Sequence, residues 1–306
     1  MASLSGAQDA TGNLRGILLM VGSMALFAVE DMFLKFAAAS LPVGEIIFVS
    51  GLFAVPVFWA LARREGLPIF SRDLLRPVIL ARNAGEVIGS LGYVAALAAV
   101  PLSTVSAVLQ ATPLAVTMGA ALFMGERVGW RRWSAILVGF ALGVLLVVQP
   151  GGAGFRPEAL FVLITVVGIA LRDLATRAVP DRISTHQISA WGSSSVAVLG
   201  AVMMAVTGDM RWPTALEGAS LLGAVVFGTA GYWAVVAAMR VGEVSVVSPF
   251  RYTRLVFAMA LGMLVFAERP GALTMIGAAI IIGSGLYAFA RERARKRALS
   301  SSPSAE

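Results

Sequence analysis

Apolar runs of about twenty residues succeed one another along almost the whole chain, separated by short connections that carry most of its Lys and Arg. A helix that crosses a bilayer needs about 20 predominantly apolar residues. Runs bounded by charge, Gly or Pro predict ten such helices, at 16–38, 44–62, 76–98, 103–124, 131–149, 157–178, 186–206, 215–239, 244–266 and 271–290. The 306 residues are 58% hydrophobic and 13% charged, with mean hydropathy +0.85. Soluble domains run at about 45–50% apolar and about 25% charged. The expectation is an all-α integral membrane protein with no room for a large soluble domain.

The first run contains Glu30, Asp31 and Lys35 and lacks a small-residue exit, so it reads as an uncleaved first span rather than a signal peptide. Residues 1–15 read as an N-terminal tail, and 291–306 as a basic C-terminal tail disordered from Ser300. One set of connections, with both tails, holds sixteen bases: Arg15, Arg63, Arg64, Arg72, Arg76, Arg127, Arg131, Arg132, Arg177, Arg182, Arg240, Arg291, Arg293, Arg295, Lys296 and Arg297. The alternate set holds three, Arg156, Arg211 and Arg269. Cytoplasmic connections are the Lys/Arg-rich ones, so both termini are expected in the cytoplasm and the chain in an inner membrane. Trp59, Trp130, Trp133 and Trp212 fall near the expected interfaces, as do His186 and Trp191.

The net charge of +7 is spread over these connections and forms no stripe for nucleic acid. Cys is absent and His186 is the one histidine, which excludes thiol chemistry and a multi-His metal centre. No cofactor is expected.

The halves resemble each other at an offset of 142 residues. Gly125-Glu126-Arg127 matches Ala267-Glu268-Arg269, Ser103 matches Ser245, and Gly143 matches Gly285. Glu30-Asp31…Lys35 aligns with Arg172-Asp173…Arg177, each Asp standing four residues before a base on one helical face. Five spans per half turn the second half upside down. The expectation is two inverted repeats, 16–149 and 156–290, around a central cavity, an arrangement common in transporters.

The stretch Leu97–Trp133, LAAVPLSTVSAVLQATPLAVTMGAALFMGERVGWRRW, resembles the end of the first repeat of the drug/metabolite transporter superfamily, EamA type. Gly242–Glu292, GEVSVVSPFRYTRLVFAMALGMLVFAERPGALTMIGAAIIIGSGLYAFARE, resembles the matching part of the second. The resemblance covers nearly the whole chain and implies alternating access around a central cavity. Members include exporters of amino acids and other metabolites, and importers of riboflavin or S-adenosylmethionine. Many carry an Arg in the second span, where this chain has Ser50-Gly51.

Five bases, Lys35, Arg82, Arg172, Arg251 and Arg254, and four acids, Glu30, Asp31, Glu86 and Asp173, lie within the expected spans; Glu45 sits near the outer interface. Nine such charges facing lipid would cost roughly 25–30 kcal/mol at about 2.5–3.5 kcal/mol each, so most must pair or face water. Arg82, Asn83 and Glu86 occupy one turn and read either as substrate contacts, with Glu86 also a proton site, or as a salt bridge locking two helices. Pro249 loosens the ninth span beside Phe250-Arg251-Tyr252-Thr253-Arg254. There Arg251 is expected to bind an acidic group of the substrate, or else to pair with Asp173 or Glu86, while Arg254 reaches toward the cytoplasm. Tyr252 either contacts the ligand or packs. Gln110, just before Pro113, is expected to line the cavity, with Asp173 part of the same lining. Tyr93, Tyr232 and Trp233 are candidate walls. The Asp31–Lys35 and Asp173–Arg177 pairs read as structural ties or as gates, with Arg172 equally open. Glu30, beside Asp31, fits proton coupling. Gly85-x-x-x-Gly89 and Gly139-x-x-x-Gly143 read as close-packing devices, within the chain or in a homodimer. Glu126 and Glu268 are expected to be structural turn residues.

The expected function is secondary transport of a small polar metabolite, an amino acid or similar carboxylate or zwitterion, with export favoured. The alternative is uptake of a vitamin such as riboflavin or of S-adenosylmethionine. An enzyme is disfavoured because no Ser/His, paired-Asp or HExxH motif is present. A channel is disfavoured because the charges cluster mid-membrane instead of forming a continuous polar face.

Overall fold

The computed structural model describes residues 2–68, 70–125, 129–130, 133–134, 136–141, 158, 160–180, 182–241 and 244–300. Every regular element among them is helical. These are α1 (Ala2–Ala38), α2 (Val43–Arg64), a 3₁₀ turn (Arg72–Leu75), α3 (Pro77–Ala99), α4 (Leu102–Leu109) and α5 (Thr112–Phe123), followed by α6 (Leu160–Arg177), α7 (Thr185–Thr207), α8 (Ala215–Val241), α9 (Val244–Val247), a 3₁₀ turn (Ser248–Tyr252), α10 (Thr253–Phe266) and α11 (Ala272–Ser300). Among the described residues, six stretches are long and apolar enough to cross a membrane: Gly12–Ala38, Val43–Arg64, Leu102–Phe123, Thr185–Thr207, Ala215–Ala238 and Pro249–Phe266. Much of the expected fifth span, with Gly143, lies outside the described residues, as do Glu126, Arg127, Arg131, Arg132, Arg156 and the last six residues. The side chains of Arg240, Ser245 and residues 291–300 are likewise outside them.

Two features differ from the sequence expectation, and a third, the loosened ninth span, follows it. The presumed tails are helical: α1 starts at Ala2, and α11 runs on to Ser300, through a segment of Arg, Lys, Glu and Ala, all good helix formers. The fourth span breaks at Gln110-Ala111, whose amides turn back to Ala107 and Val108 at 3.2 and 2.9 Å. Pro113 follows, and a proline clashes with the carbonyl four residues earlier and donates nothing. The ninth span breaks the same way, its 3₁₀ turn opening at Ser248-Pro249 and ending at Tyr252. The breaks at 110 and 252 stand 142 residues apart, the offset of the sequence repeat.

Helix pairing crosses the chain's midpoint. α1 packs along α8, α2 along α7 and α3 along α6. Small residues make two of these contacts close. A Cβ on Gly51 of α2 would sit 2.6 Å from the Ala197 amide of α7, and one on Gly85 of α3 would meet the backbone of Gly168 and Arg172 on α6. Gly89 stacks on the same stretch, which gives the expected Gly-x-x-x-Gly its packing role. α4 is buried from Leu102 to Val108 and packs against α6, α10 and α11. Its Leu102, Val105 and Val108 join Ile46, Leu97, Leu255 and Ile281 in the main apolar core. The outer surface is apolar too: Trp59, Trp130, Trp212 and Trp233 are exposed, as are Leu264 and Val206. Trp191 is not interfacial. It is 3% exposed and packs among Ile79, Ile183 and Ile188, because it faces α3 rather than lipid.

Candidate functional site

Three polar clusters sit among the apolar helices. The first lies where α3 meets α6. Arg82 Nη2 stands 2.8 Å from Glu86 Oε2, one turn along α3. Glu86 Oε1 is 3.3 Å from Arg172 Nη1 on α6, and Arg172 Nη2 lies 2.9 Å from Asp173. Asn83 Oδ1 accepts from Arg82 at 3.4 Å. The close α3–α6 contact brings these charges together, since the glycines let the two backbones touch at this level. Gly192 of α7 leaves the space that the Arg82 guanidinium fills. Arg82 Nε is buried without a hydrogen-bond partner. Beside this cluster Tyr232 of α8 hydrogen-bonds Ser189 of α7 at 3.2 Å and packs edge-on against Phe58.

Next to this chain of charges is a cavity of about 340 Å³ lined by Glu65, Thr185, His186, Tyr232, Val235, Val236 and Arg251. The 3₁₀ turn before α10 carries Arg251 into it. Arg251 is exposed as a residue; its guanidinium has no ion pair or hydrogen bond among the described residues, although Asp173 and Arg172 act on it electrostatically. His186 Nδ1 and Glu65 Oε1, 2.8 Å apart, stand at the rim. On the same face Gln187 Nε2 donates to Pro68 O at 2.6 Å, and Arg182 pairs with Asp73. Arg76, 2.5 Å away, and then Arg182 hold the Asp73 carboxyl below the usual range. A larger cavity of about 540 Å³ is an apolar groove lined by Leu52, Phe53, Val55, Pro56, Trp59, Ser194 and Ala197, away from the charges.

The second cluster joins α1, α3 and α10. Asp31 is fully buried. It accepts from Arg254 Nη2 at 2.6 Å and Nε at 3.0 Å and from the Tyr93 hydroxyl. Arg254 also reaches Tyr93 at 3.2 Å and lies over the Phe27 ring, 5.2 Å from its centre. Arg254 thus points into the protein, held by a bidentate carboxylate, and not toward the cytoplasm. Tyr93 is a partner of this pair rather than a wall. Glu30 turns the other way, against Gly228 of α8.

The third cluster joins the end of α1, the start of α4 and the end of α10. Lys35 donates to Val100 O at 2.8 Å and stands 3.5 Å from Glu268, so the one-turn pair expected with Asp31 does not form. Glu268 accepts from the backbone amides of Leu102 and Ser103 at 2.6 and 3.0 Å and from Ser103 Oγ at 2.8 Å. It caps the start of α4 from the far end of α10. Nearby, Arg211 donates to Glu217 at 2.6 Å and to Ser40 O at 2.9 Å, and Ser40 Oγ donates to Glu217 at 2.6 Å.

The structure therefore brings Arg82, Asn83, Glu86, Arg172 and Asp173 into one cluster with Arg251 beside it, and places Asp31 and Arg254 in another. Gln110 is buried at the α4–α5 break and Tyr252 ends the 3₁₀ turn; neither lines the 340 Å³ cavity. Tyr232, named from the sequence as a candidate wall, does line the cavity; sequence reasoning missed Glu65 and His186 beside it, and Glu268 as the partner of the α4 amides. The repeat match of Ser103 and Glu268 marked both residues without saying that they touch. Among the described residues no group of three or more His, Asp or Glu is placed to hold a metal ion.

A family model described as the EamA-like transporter family matches residues 14–149 and again 156–289. The pseudopaline exporter of Pseudomonas aeruginosa is 29% identical over 87% of this chain and 93% of its own. The riboflavin transporter of Rhizobium johnstonii is 28% identical over 74% and 72%, and the S-adenosylmethionine uptake transporter of Rickettsia felis 25% identical over 92% and 94%. A solved crystal structure superposes with a TM-score of 0.60 at 20% identity, covering 92% of this chain and 98% of its own, which is a likeness of fold.

Proposed function

Because the chain belongs to the EamA-like transporter family, and is thus a multi-pass membrane transporter, we propose that it carries a small metabolite bearing a carboxylate, an amino acid or a related zwitterion, by alternating access. The observation that carries this reading is Arg251: an unpaired guanidinium, among the described residues, on a cavity of about 340 Å³ with Tyr232 beside it. Beside it Arg82 and Arg172 pair with Glu86 and Asp173, and Glu65 on the cavity wall lies against His186. That leaves Arg251 as the base of this cluster without an ion pair among the described residues, and a guanidinium fork suits a carboxylate. The paired side chains hold the site in shape; Arg251 is free to engage cargo.

The same reading takes the two family matches as inverted five-helix repeats. Its support is the cross-midpoint pairing of α1 with α8, α2 with α7 and α3 with α6, and the matching breaks at 110 and 252. Broken helices at the site are a hallmark of such carriers. The Lys/Arg bias puts the cavity mouth, with its 65–76 and 178–187 connections, on the cytoplasmic side of an inner membrane. The Lys35–Glu268 and Arg211–Glu217 face is then external, so this conformer opens inward and is shut outward. Export is the proposed direction, with the pseudopaline exporter among its relatives. Uptake is the second reading, favoured by relatives named for S-adenosylmethionine uptake.

Counterflow of labelled amino acids in proteoliposomes tests the cargo class. Wild type is expected to exchange at least one, and Arg251→Ala to lose most of that exchange through a raised KM, with Arg251→Lys intermediate. Unimpaired exchange by Arg251→Ala sinks the carboxylate role. Right-side-out against inverted vesicles separates export from uptake.

A further inference from the structure

Glu30 and Asp31 are neighbours on α1 with opposite fates. Asp31 has both carboxylate oxygens engaged, by two Arg254 nitrogens and by Tyr93. Glu30 has no hydrogen bond or ion pair among the described residues, and its carboxyl group lies against the backbone of Gly228 on α8. The groups that face it are Asp31 on its own helix, Arg254 from α10 and Tyr93 from α3; α8 offers only the uncharged Gly228. Lys35, the next base along α1, is turned away to Val100 and Glu268. Two carboxyl groups therefore share one guanidinium, and that guanidinium is already gripped by Asp31.

An ionised carboxylate in this setting, inside a span and without a partner, costs several kcal/mol. Such a group neutralises rather than staying charged. Its seat admits little else. A Cβ at Gly228 would collide with the Glu30 carboxyl, so no ammonium group or metal ion fits between them, and Glu30 does not line the 340 Å³ cavity. The residue is nonetheless only partly buried, and a proton-binding role requires water to reach the carboxyl from that side.

We propose that Glu30 is a proton-binding site, separate from the cargo site at Arg251, through which transport is coupled to the proton gradient. The coupling rests on the carrier reading above; the protonation does not. One proton adds to the Glu30 carboxylate and leaves the α1–α3–α10 cluster neutral, with Asp31 set against Arg254. Loss of that proton puts a second negative charge beside Arg254, which then has two acids competing for it and loosens from Asp31.

Infrared difference spectra of the protein in liposomes, between mildly acidic and alkaline buffer, read the protonation without any cargo. Wild type is expected to give a titrating carboxylic-acid C=O band that is lost in Glu30→Gln and shifted in frequency in Glu30→Asp. A band unchanged in both variants overturns the assignment, and Glu30→Asp decides it alone if Glu30→Gln does not fold. In pyranine-loaded proteoliposomes given a mixture of the proteinogenic amino acids, wild type is expected to move protons with amino acid, and Glu30→Gln to lose protons moved per amino acid exchanged. An unchanged ratio overturns the coupling. Absence of any amino-acid exchange by wild type would instead count against the carrier reading, with the infrared result standing by itself.

Discussion

Asp31 is the residue on which the buried polar network of α1, α3 and α10 converges, and its value lies in what it prevents. With Asp31 in place, Arg254 holds a bidentate partner and an aromatic face. Without it, a guanidinium stands in the membrane interior with no strong acceptor. Removing one member of a buried pair costs about 3–5 kcal/mol, largely through the stranded charge. Asp31→Asn is therefore expected to lower thermal stability in detergent sharply. The double change Asp31→Asn with Arg254→Leu is expected to recover much of the loss, because no charge is then stranded; a double variant as unstable as the single would refute this. That charges sat at depth was readable from the sequence, since a base or acid amid twenty apolar residues is conspicuous. Their partners were not. The helical spacing suggested Lys35 for Asp31, yet the partner is Arg254, brought near only when α1 and α10 pack. Local spacing yields candidate pairs; tertiary packing selects among them, and a bidentate Arg fork outcompetes a Lys that can reach a carbonyl and Glu268 instead.

At the scale of elements, the contact between the end of α10 and the start of α4 governs the closed face. The first amides of a helix lack internal partners, and those of α4 at Leu102 and Ser103 take theirs from the Glu268 carboxylate. A negative group is also favoured at that end of the helix dipole. Bonds to a charged group contribute about 1.5–3 kcal/mol each at most contexts, so Glu268→Gln is expected to weaken the closure without unfolding the helices. Hydrogen exchange checks it: amides of Leu102 to Thr104 should exchange faster, while those in the middle of α7 stay unchanged. Protection equal to wild type at Leu102 would show that the carboxylate does not hold α4. The sequence announced a loosened ninth span through Pro249, and Pro113 stood in plain view in the fourth. Hydropathy nevertheless reads both spans as continuous, because a break of one turn changes backbone hydrogen bonding without changing how apolar the segment is.

For the whole molecule, the proposed orientation rests on the alternation of basic and base-poor connections in the sequence. Connections 39–42 and 208–214 meet through Arg211 and Ser40, and connections 65–76 and 178–184 through Asp73 and Arg182, so each face is stitched within itself. Orientation is open to direct measurement, because the chain has no cysteine and single ones report cleanly. In intact cells a membrane-impermeant maleimide is expected to label Asp209→Cys and to spare Ser71→Cys; the reverse pattern would invert the topology and, with it, the side from which cargo enters.

The glycine contacts bear on how such a molecule moves. Where Gly51 meets Ala197 and Gly85 meets Gly168, backbone touches backbone, leaving no side-chain layer to act as a lubricant. Each weld joins a helix of one half to a helix of the other, so the halves cannot part along these lines like opening hands. Flexing is then expected at the two interruptions, at 110–111 and 248–252, where the helices already have fewer rungs to break. A rigid frame with two elbows, one of them carrying Arg251, would swing its binding group from one side to the other while its frame stays still.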